Sequence, residues 1–144
     1  MARVYVASSW RNKYQPAVIK DLLTAGHQAY DFRNPPYKTG FKWSDVEKDW
    51  QTWDRKRYRE LLCTSPIASH GFVADMRGLT WADTCLLVLP CGRSSHLEAG
   101  WAAGANKRVI VFIPEDIEPD LMYLMAGSIC LTMTEVLIEL RGGE

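Results

Sequence analysis

This chain has no charge of either sign to spare: seventeen basic residues balance seventeen acidic ones over 144 positions. That balance removes the main electrostatic argument for binding nucleic acid or an anionic membrane. No window approaches the length and apolarity of a transmembrane helix. The opening Met1-Ala2-Arg3 runs straight into a strand-like segment, so we expect no secretory signal and a cytoplasmic protein. The four cysteines (Cys63, Cys85, Cys91 and Cys130) show no C-x-x-C spacing and are expected to be reduced thiols. Three histidines, at 27, 70 and 96, lie too far apart in sequence to suggest a metal site. The first strand is not followed by G-x-G-x-x-G, and a Walker A loop is missing. Gly92-Arg93-Ser94-Ser95-His96 fails the G-x-S-x-G elbow, because His96 stands at the second glycine. Cys91 and His96, five residues apart across a turn, give no evidence of contact, and a thiol nucleophile is disfavoured.

What is present is a single-domain length, an ordinary apolar share of 47%, and an excess of tryptophan and tyrosine, six of each. The organising stretch runs from Leu86 to Gly100. Thr84 to Leu89 is apolar on both alternations, as in a parallel strand covered on both faces, and Pro90 and Gly92 stop it. Ser95 precedes Glu98 by three residues, the spacing of a capping box, so a helix is predicted to start there with Glu98 in its first turn. A glutamate in that motif can be a cap and nothing more. In the field of a helix N-terminus it is also expected to be ionised.

Taken in order, Arg3 to Ser8 reads as a strand ending in the polar turn Ser8-Ser9-Trp10-Arg11-Asn12. Pro16 suits a first helical turn, Ala17, Val18, Leu22 and Ala25 give an apolar face, and Gly26 ends the helix. His27 to Phe32 is a second strand, closed by Asn34-Pro35-Pro36. Pro35-Pro36-Tyr37-Lys38-Thr39-Gly40 reads as loop. Ser44 and Glu47 predict a capped helix bearing Trp50 and Trp53, with the basic run Arg55-Lys56-Arg57-Tyr58-Arg59 behind it as a solvated helix face. The tryptophan-rich insertion at 35–63 fits two readings equally, an aromatic lid or binding loop, and a segment packing a subdomain or a subunit contact. Pro66 to Trp81 is predicted helical and carries Asp75; Arg108 to Ile113 is another buried strand, stopped by Pro114. Pro119-Asp120-Leu121-Met122 opens a short segment, and Ser128 to Leu131 is a small last strand. Thr132 with Glu135 caps a terminal helix whose Val136, Leu137 and Leu140 face inward.

This alternation predicts a flavodoxin-like three-layer α/β domain with a five-stranded, mainly parallel sheet in the order 2-1-3-4-5. Ligands bind such sheets at the switch point, here where the turn Ser8 to Arg11 meets the stretch Cys91 to Glu98. A carboxylate at such a pocket can attack an anomeric carbon while a second carboxyl group serves as acid and base. Glu98 is the candidate nucleophile and Asp75 the candidate partner, although a single aspartate on a helix is more commonly just exposed.

The run Asp75-Met76-Arg77-Gly78-Leu79-Thr80-Trp81-Ala82-Asp83, then Glu98-Ala99-Gly100-Trp101-Ala102, then Asn106-Lys107-Arg108-Val109 resembles the nucleoside 2-deoxyribosyltransferase superfamily, which includes the 2′-deoxynucleoside 5′-phosphate N-hydrolases. Val4-Tyr5-Val6 and Pro119-Asp120-Leu121-Met122 extend the resemblance over most of the chain outside 33–65. It implies cleavage of the N-glycosidic bond of a nucleoside or nucleotide without a cofactor or metal. Glu98 would be the nucleophile, Asp75 the acid/base or sugar-hydroxyl contact, and Tyr5 a hydroxyl that orients Glu98; a strand tyrosine packed in the core is the plainer alternative. Ser9 and Arg11 match the first-loop residues that hold a 5′-phosphate, and Ser8 beside them, with Gly92, Ser94 and Ser95 at the helix start, would also contact substrate. Asp120 falls where the family places a residue contributed by a neighbouring subunit, so the resemblance implies a homodimer or higher homo-oligomer, and Met122 beside it would also contact substrate. Gly92 stands where the transferases carry an aspartate that helps read the base, which disfavours transfer. Asp120 stands where an amide or hydroxyl residue is usual, which disfavours a phosphate and leads us to expect an unphosphorylated nucleoside, with the monophosphate as the alternative. A non-catalytic module binding a nucleotide-like ligand is the contrasting expectation.

Overall fold

A computed structural model describes residues 1–36 and 40–142. Positions 37–39 of the predicted loop lie outside the described residues. Chain contacts divide the molecule into two units, Met1–Asp31 with Leu79–Glu144, and Phe32–Gly78.

The first unit holds five parallel strands, β1 (Arg3–Ala7), β2 (Gln28–Tyr30), β3 (Thr84–Val88), β4 (Arg108–Phe112) and β5 (Ser128–Cys130), in the order β2-β1-β3-β4-β5. The predicted order is therefore the observed one. Its helices are α1 (Gln15–Thr24), α4 (Arg93–Gly104) and α5 (Met133–Arg141). Pro16 sits at the start of α1, and Gly26 follows its end at φ +85°, a conformation that glycine alone adopts without strain. Successive side chains of a strand point to opposite faces, and the pleat sorts the core accordingly. Val4, Val6, Leu86, Val88, Ile110 and Phe112 pack with Val18 and Leu22 of α1 and Val136 and Leu140 of α5. Tyr5, Cys85, Leu87 and Val109 belong to the opposite face, and α4 packs on β1, β3 and β4 with Ala99 and Ala102 buried. Every residue of β3 is buried, as its unbroken apolar run requires.

The second unit contains α2 (Arg55–Thr64) and most of α3 (Pro66–Trp81), whose last turn belongs to the first unit. Asp54 caps α2 by accepting from the Arg57 amide, and Arg55, Lys56 and Arg59 are exposed along the helix, as expected of a solvated basic face. The capped helix predicted from Ser44 and Glu47 does not form. Two 3-10 turns, Trp43–Asp45 and Trp50–Thr52, stand in its place, because Glu47 is drawn away from the backbone. It accepts from Trp53 Nε1 at 2.7 Å and pairs with Arg57, which lowers the Glu47 pKa and raises that of Arg57. Trp43 lies edge-on to Phe41, Trp53 and Tyr58, with ring centroids 4.9, 5.7 and 5.9 Å away. Trp43 and Trp53 thus pack a small aromatic core of their own unit. Gly71 of α3 lets Phe41 approach so closely that a Cβ there would stand 2.9 Å from its ring.

Candidate functional site

The carboxyl ends of β1 and β3 are neighbours in the sheet, and the turns leaving them are tied together by hydrogen bonds that the sequence did not advertise. Ser8, buried at the end of β1, donates its hydroxyl to the Val88 carbonyl at 3.0 Å. Ser95 donates to the Ser8 carbonyl at 2.7 Å. Asn12, also buried, does most of the joining. Its Oδ1 accepts from the Tyr14 and Gln15 amides at 2.8 and 2.9 Å, and its Nδ2 donates to the carbonyls of Val88 and Pro90 at 3.3 and 3.0 Å. Asn12 was not among the sequence candidates. An asparagine two and three residues before the first amides of a helix that carries Pro16 was the available signal, since an Asx turn starts helices this way.

Helix α4 begins at Arg93 with Gly92 as its cap, and the cap makes no side-chain hydrogen bond. The capping box predicted for Ser95 and Glu98 is therefore absent. Ser95 is already inside the helix, and its hydroxyl serves the Ser8 carbonyl instead. Glu98 consequently lies in the second turn rather than the first, where the field of the helix N-terminus has largely fallen away. It is half-buried. Its charge is felt by two thiols: Cys85 is pushed up to about 12, chiefly by burial and then by Glu98, and Cys91 to about 11, where burial outweighs an opposing hydrogen bond to Ser95 and Glu98 adds a smaller push upward. Both thiols are thus neutral near pH 7. Cys91 Sγ does approach His96 Nδ1, at 3.8 Å, but the ring nitrogen donates to the Gly92 carbonyl at 2.7 Å, which leaves Nε2 to accept from the Tyr123 hydroxyl at 3.0 Å. A protonated thiol beside an imidazole committed elsewhere is not an activated nucleophile.

Tyr5 is fully buried, stacked on Tyr30 with centroids 5.0 Å apart, and in register with Cys85, the thiol that senses Glu98. Ser9 is half-buried, while Arg11, Gly92 and Ser94 are exposed. Arg11 forms no ion pair with the carboxylates of the described residues. The neighbouring Lys13 and Tyr14 turn to Glu115 beyond β4, at 3.3 and 2.5 Å, which lowers the Glu115 pKa. Asp120 is exposed and accepts from the Met122 amide at 2.8 Å, capping a 3-10 turn over Leu121–Met125. Beside that turn a cleft of about 790 Å³ is lined by Leu121, Leu124, Ile129 and Leu131 among others. In the second unit, Asp75 is half-buried on α3 and lines a cavity of about 440 Å³ with Asp45 and His70. Among the described residues no group of histidines, cysteines and carboxylates could hold a metal ion, and no helix is long and apolar enough to cross a membrane.

No family model and no curated protein matches the sequence. Solved structures do match the fold. A 2-deoxyribosyltransferase from Bacillus psychrosaccharolyticus superposes with a TM-score of 0.65 at 18% identity, covering 94% of this chain and 90% of that one. A CMP N-glycosidase from Clostridium botulinum gives 0.50 at 15% identity, over 96% and 98%. A conserved protein from Enterococcus faecalis gives 0.60 at 11%, over 100% and 99%. The resemblance read from the sequence thus has its counterpart in three dimensions, at the level of the fold and over nearly the whole chain.

Proposed function

We propose that the chain is a nucleoside 2-deoxyribosyltransferase-like enzyme that cleaves the N-glycosidic bond of a (deoxy)nucleoside through a covalent intermediate on Glu98. The observation that carries the reading is the place of Glu98, half-buried on the helix that follows the switch-point turn, with its charge reaching the β3 thiol beside Tyr5. In this scheme the Glu98 carboxylate attacks C1′ of the sugar. The C1′–N bond breaks, its electron pair leaves with the base, and the base takes a proton from Asp75, whose role comes from the resemblance. Water then attacks C1′, gives its proton to Asp75, and frees Glu98. Gly92 offers no carboxylate to hold an incoming base, so hydrolysis is favoured over transfer. Tyr5 would orient Glu98, and no cofactor is called for.

A second reading, a 5′-monophosphate N-hydrolase, is favoured by Arg11: an exposed arginine on the switch-point loop, without a carboxylate partner among the described residues, suits a phosphate. Asp120 favours the nucleoside, because a carboxylate accepts a hydrogen bond from a 5′-hydroxyl and repels a phosphate. Release of free base from one deoxynucleoside and from its 5′-monophosphate, in the parent and in Asp120→Asn, tests both. The nucleoside should be cleaved faster by the parent, and Asp120→Asn should improve the monophosphate more than the nucleoside. A strong preference of the parent for the monophosphate selects the second reading, and no free base from any substrate refutes both.

The same reading includes a homodimer or higher homo-oligomer. Leu121, Met122, Leu124 and Met125 are 53–77% exposed, beside the edge strand β5 with Ile129 and Leu131 also exposed. An apolar surface of that kind calls for a partner, and the resemblance makes it a second copy. Sedimentation equilibrium should return at least twice the monomer mass, falling to the monomer in Leu121→Asp/Leu124→Asp.

A further inference from the structure

We propose that the acid-rimmed apolar cleft beside β5 docks helix α2 of a second copy of this chain. The inference rests on the oligomer reading above and names the surface of the partner that meets the cleft; it does not depend on the chemistry at Glu98. The chain is neutral as a whole, yet its charges are segregated. Glu115-Asp116-Ile117-Glu118-Pro119-Asp120 holds four carboxylates and no cation, whereas Arg55-Lys56-Arg57-Tyr58-Arg59 holds four cations and no carboxylate. Glu115 is taken up by Lys13 and Tyr14, but Asp116 and Glu118 are exposed and form no ion pair among the described residues. Asp116 and Asp120 line the cleft, and its apolar wall is made by the exposed Leu121, Leu124, Ile129 and Leu131. On the basic side, no residue of α2 is buried, although a helix of ten residues draws most of its stability from an apolar face packed on something. Arg55, Tyr58, Arg59 and Leu62 stand at i, i+3, i+4 and i+7, so they share one face, and all four are exposed. Arg57, by contrast, turns to Glu47 and Glu60. That face is the complement of the cleft, with two cations beside two apolar side chains, in the spacing of a helix that lies in a groove. A second copy is the occupant because the same chain carries both halves, in equal number.

Charge reversal with rescue tests this. Asp116→Lys/Glu118→Lys makes the cleft basic, and Arg55→Glu/Arg59→Glu makes α2 acidic. Each variant should repel its own kind, raising the dissociation constant of the oligomer, measured by sedimentation equilibrium, about a hundredfold. Mixed one to one, every cleft meets an α2 of opposite sign on the other variant, so the mixture should associate about as tightly as the parent. All four side chains are exposed, so both variants should keep the parent's circular dichroism. If either does not, the neutral Asp116→Asn/Glu118→Gln should still weaken the parent contact about tenfold. Salt should weaken the parent oligomer as it screens the rim. A parent that stays monomeric overturns the oligomer reading and this contact with it. An oligomeric parent whose reversed variants associate unchanged, or whose mixture is no tighter than either variant alone, overturns only the contact proposed here.

Discussion

Replacing Glu98 by glutamine should lower turnover of any verified nucleoside substrate by about three orders of magnitude or more, while leaving the fold intact. An amide of the same shape fills the same half-buried space, so packing of α4 on the sheet is preserved. What is lost is the proposed nucleophile. A neutral amide is a far poorer attacking group toward C1′, and it removes stabilisation made only as the bond breaks, so kcat should fall with kcat/KM while KM changes little. A second readout reports the charge rather than the chemistry. Glu98 helps to raise the Cys85 and Cys91 thiols, so its neutralisation should lower the ionisation pH of Cys91, measured by the pH dependence of alkylation. Small anions offer a third. If Glu98→Ala leaves a gap at C1′, azide should restore turnover there and not in Glu98→Gln. Full activity in Glu98→Gln on a substrate cleaved by the parent would sink the covalent scheme.

The chain contains the same pattern three times before an expected helix, and its three outcomes show what sequence can and cannot tell. Thr132 and Glu135 form the full capping box, each serving the other's backbone amide, at an exposed helix start where no tertiary partner competes. Ser95 and Glu98 do not, because the Ser8 carbonyl, 87 residues away in sequence, takes the Ser95 hydroxyl. Ser44 and Glu47 do not, because Trp53 and Arg57 take the carboxylate. A local motif is decided by what the rest of the fold offers its side chains, and that is not written in four residues. Sheet order, by contrast, follows from the succession of buried strands and right-handed crossovers, a property of the whole chain, and it was legible. Four of the predicted strands ran one residue too far, since Ser8, Leu89, Ile113 and Leu131 continue the apolar pattern or the extended chain after pairing has ended, and the second, predicted over His27 to Phe32, pairs only over Gln28–Tyr30. Glu98, the proposed nucleophile, could be singled out by its place after the central strand, whereas the role of Asn12 depends on carbonyls 76 and 78 residues away and could not be read locally.

Asn12→Ala should therefore damage both stability and activity, by loss of the brace rather than of a ligand contact. Hydrogen bonds join this side chain to the amides of Tyr14 and Gln15 and to the carbonyls of Val88 and Pro90. A single bond contributes about 0.5–1.5 kcal/mol net, and a buried group left unpaired costs about 1–3 kcal/mol. The Val88 carbonyl keeps its bond from Ser8, and water can reach the half-buried Tyr14, so the sum is discounted to about 2–4 kcal/mol. Urea titration should show the midpoint falling with the slope unchanged. Asn12→Asp discriminates between the two halves of the brace. Its carboxylate still accepts from the two amides at the start of α1, where negative charge is favoured, but it cannot donate and faces the carbonyls of Val88 and Pro90. If joining the two turns is what matters for catalysis, Asn12→Asp should fold better than Asn12→Ala and yet turn over no faster, even well below its unfolding midpoint. Recovery of turnover in Asn12→Asp would mean that Asn12 serves only to start α1.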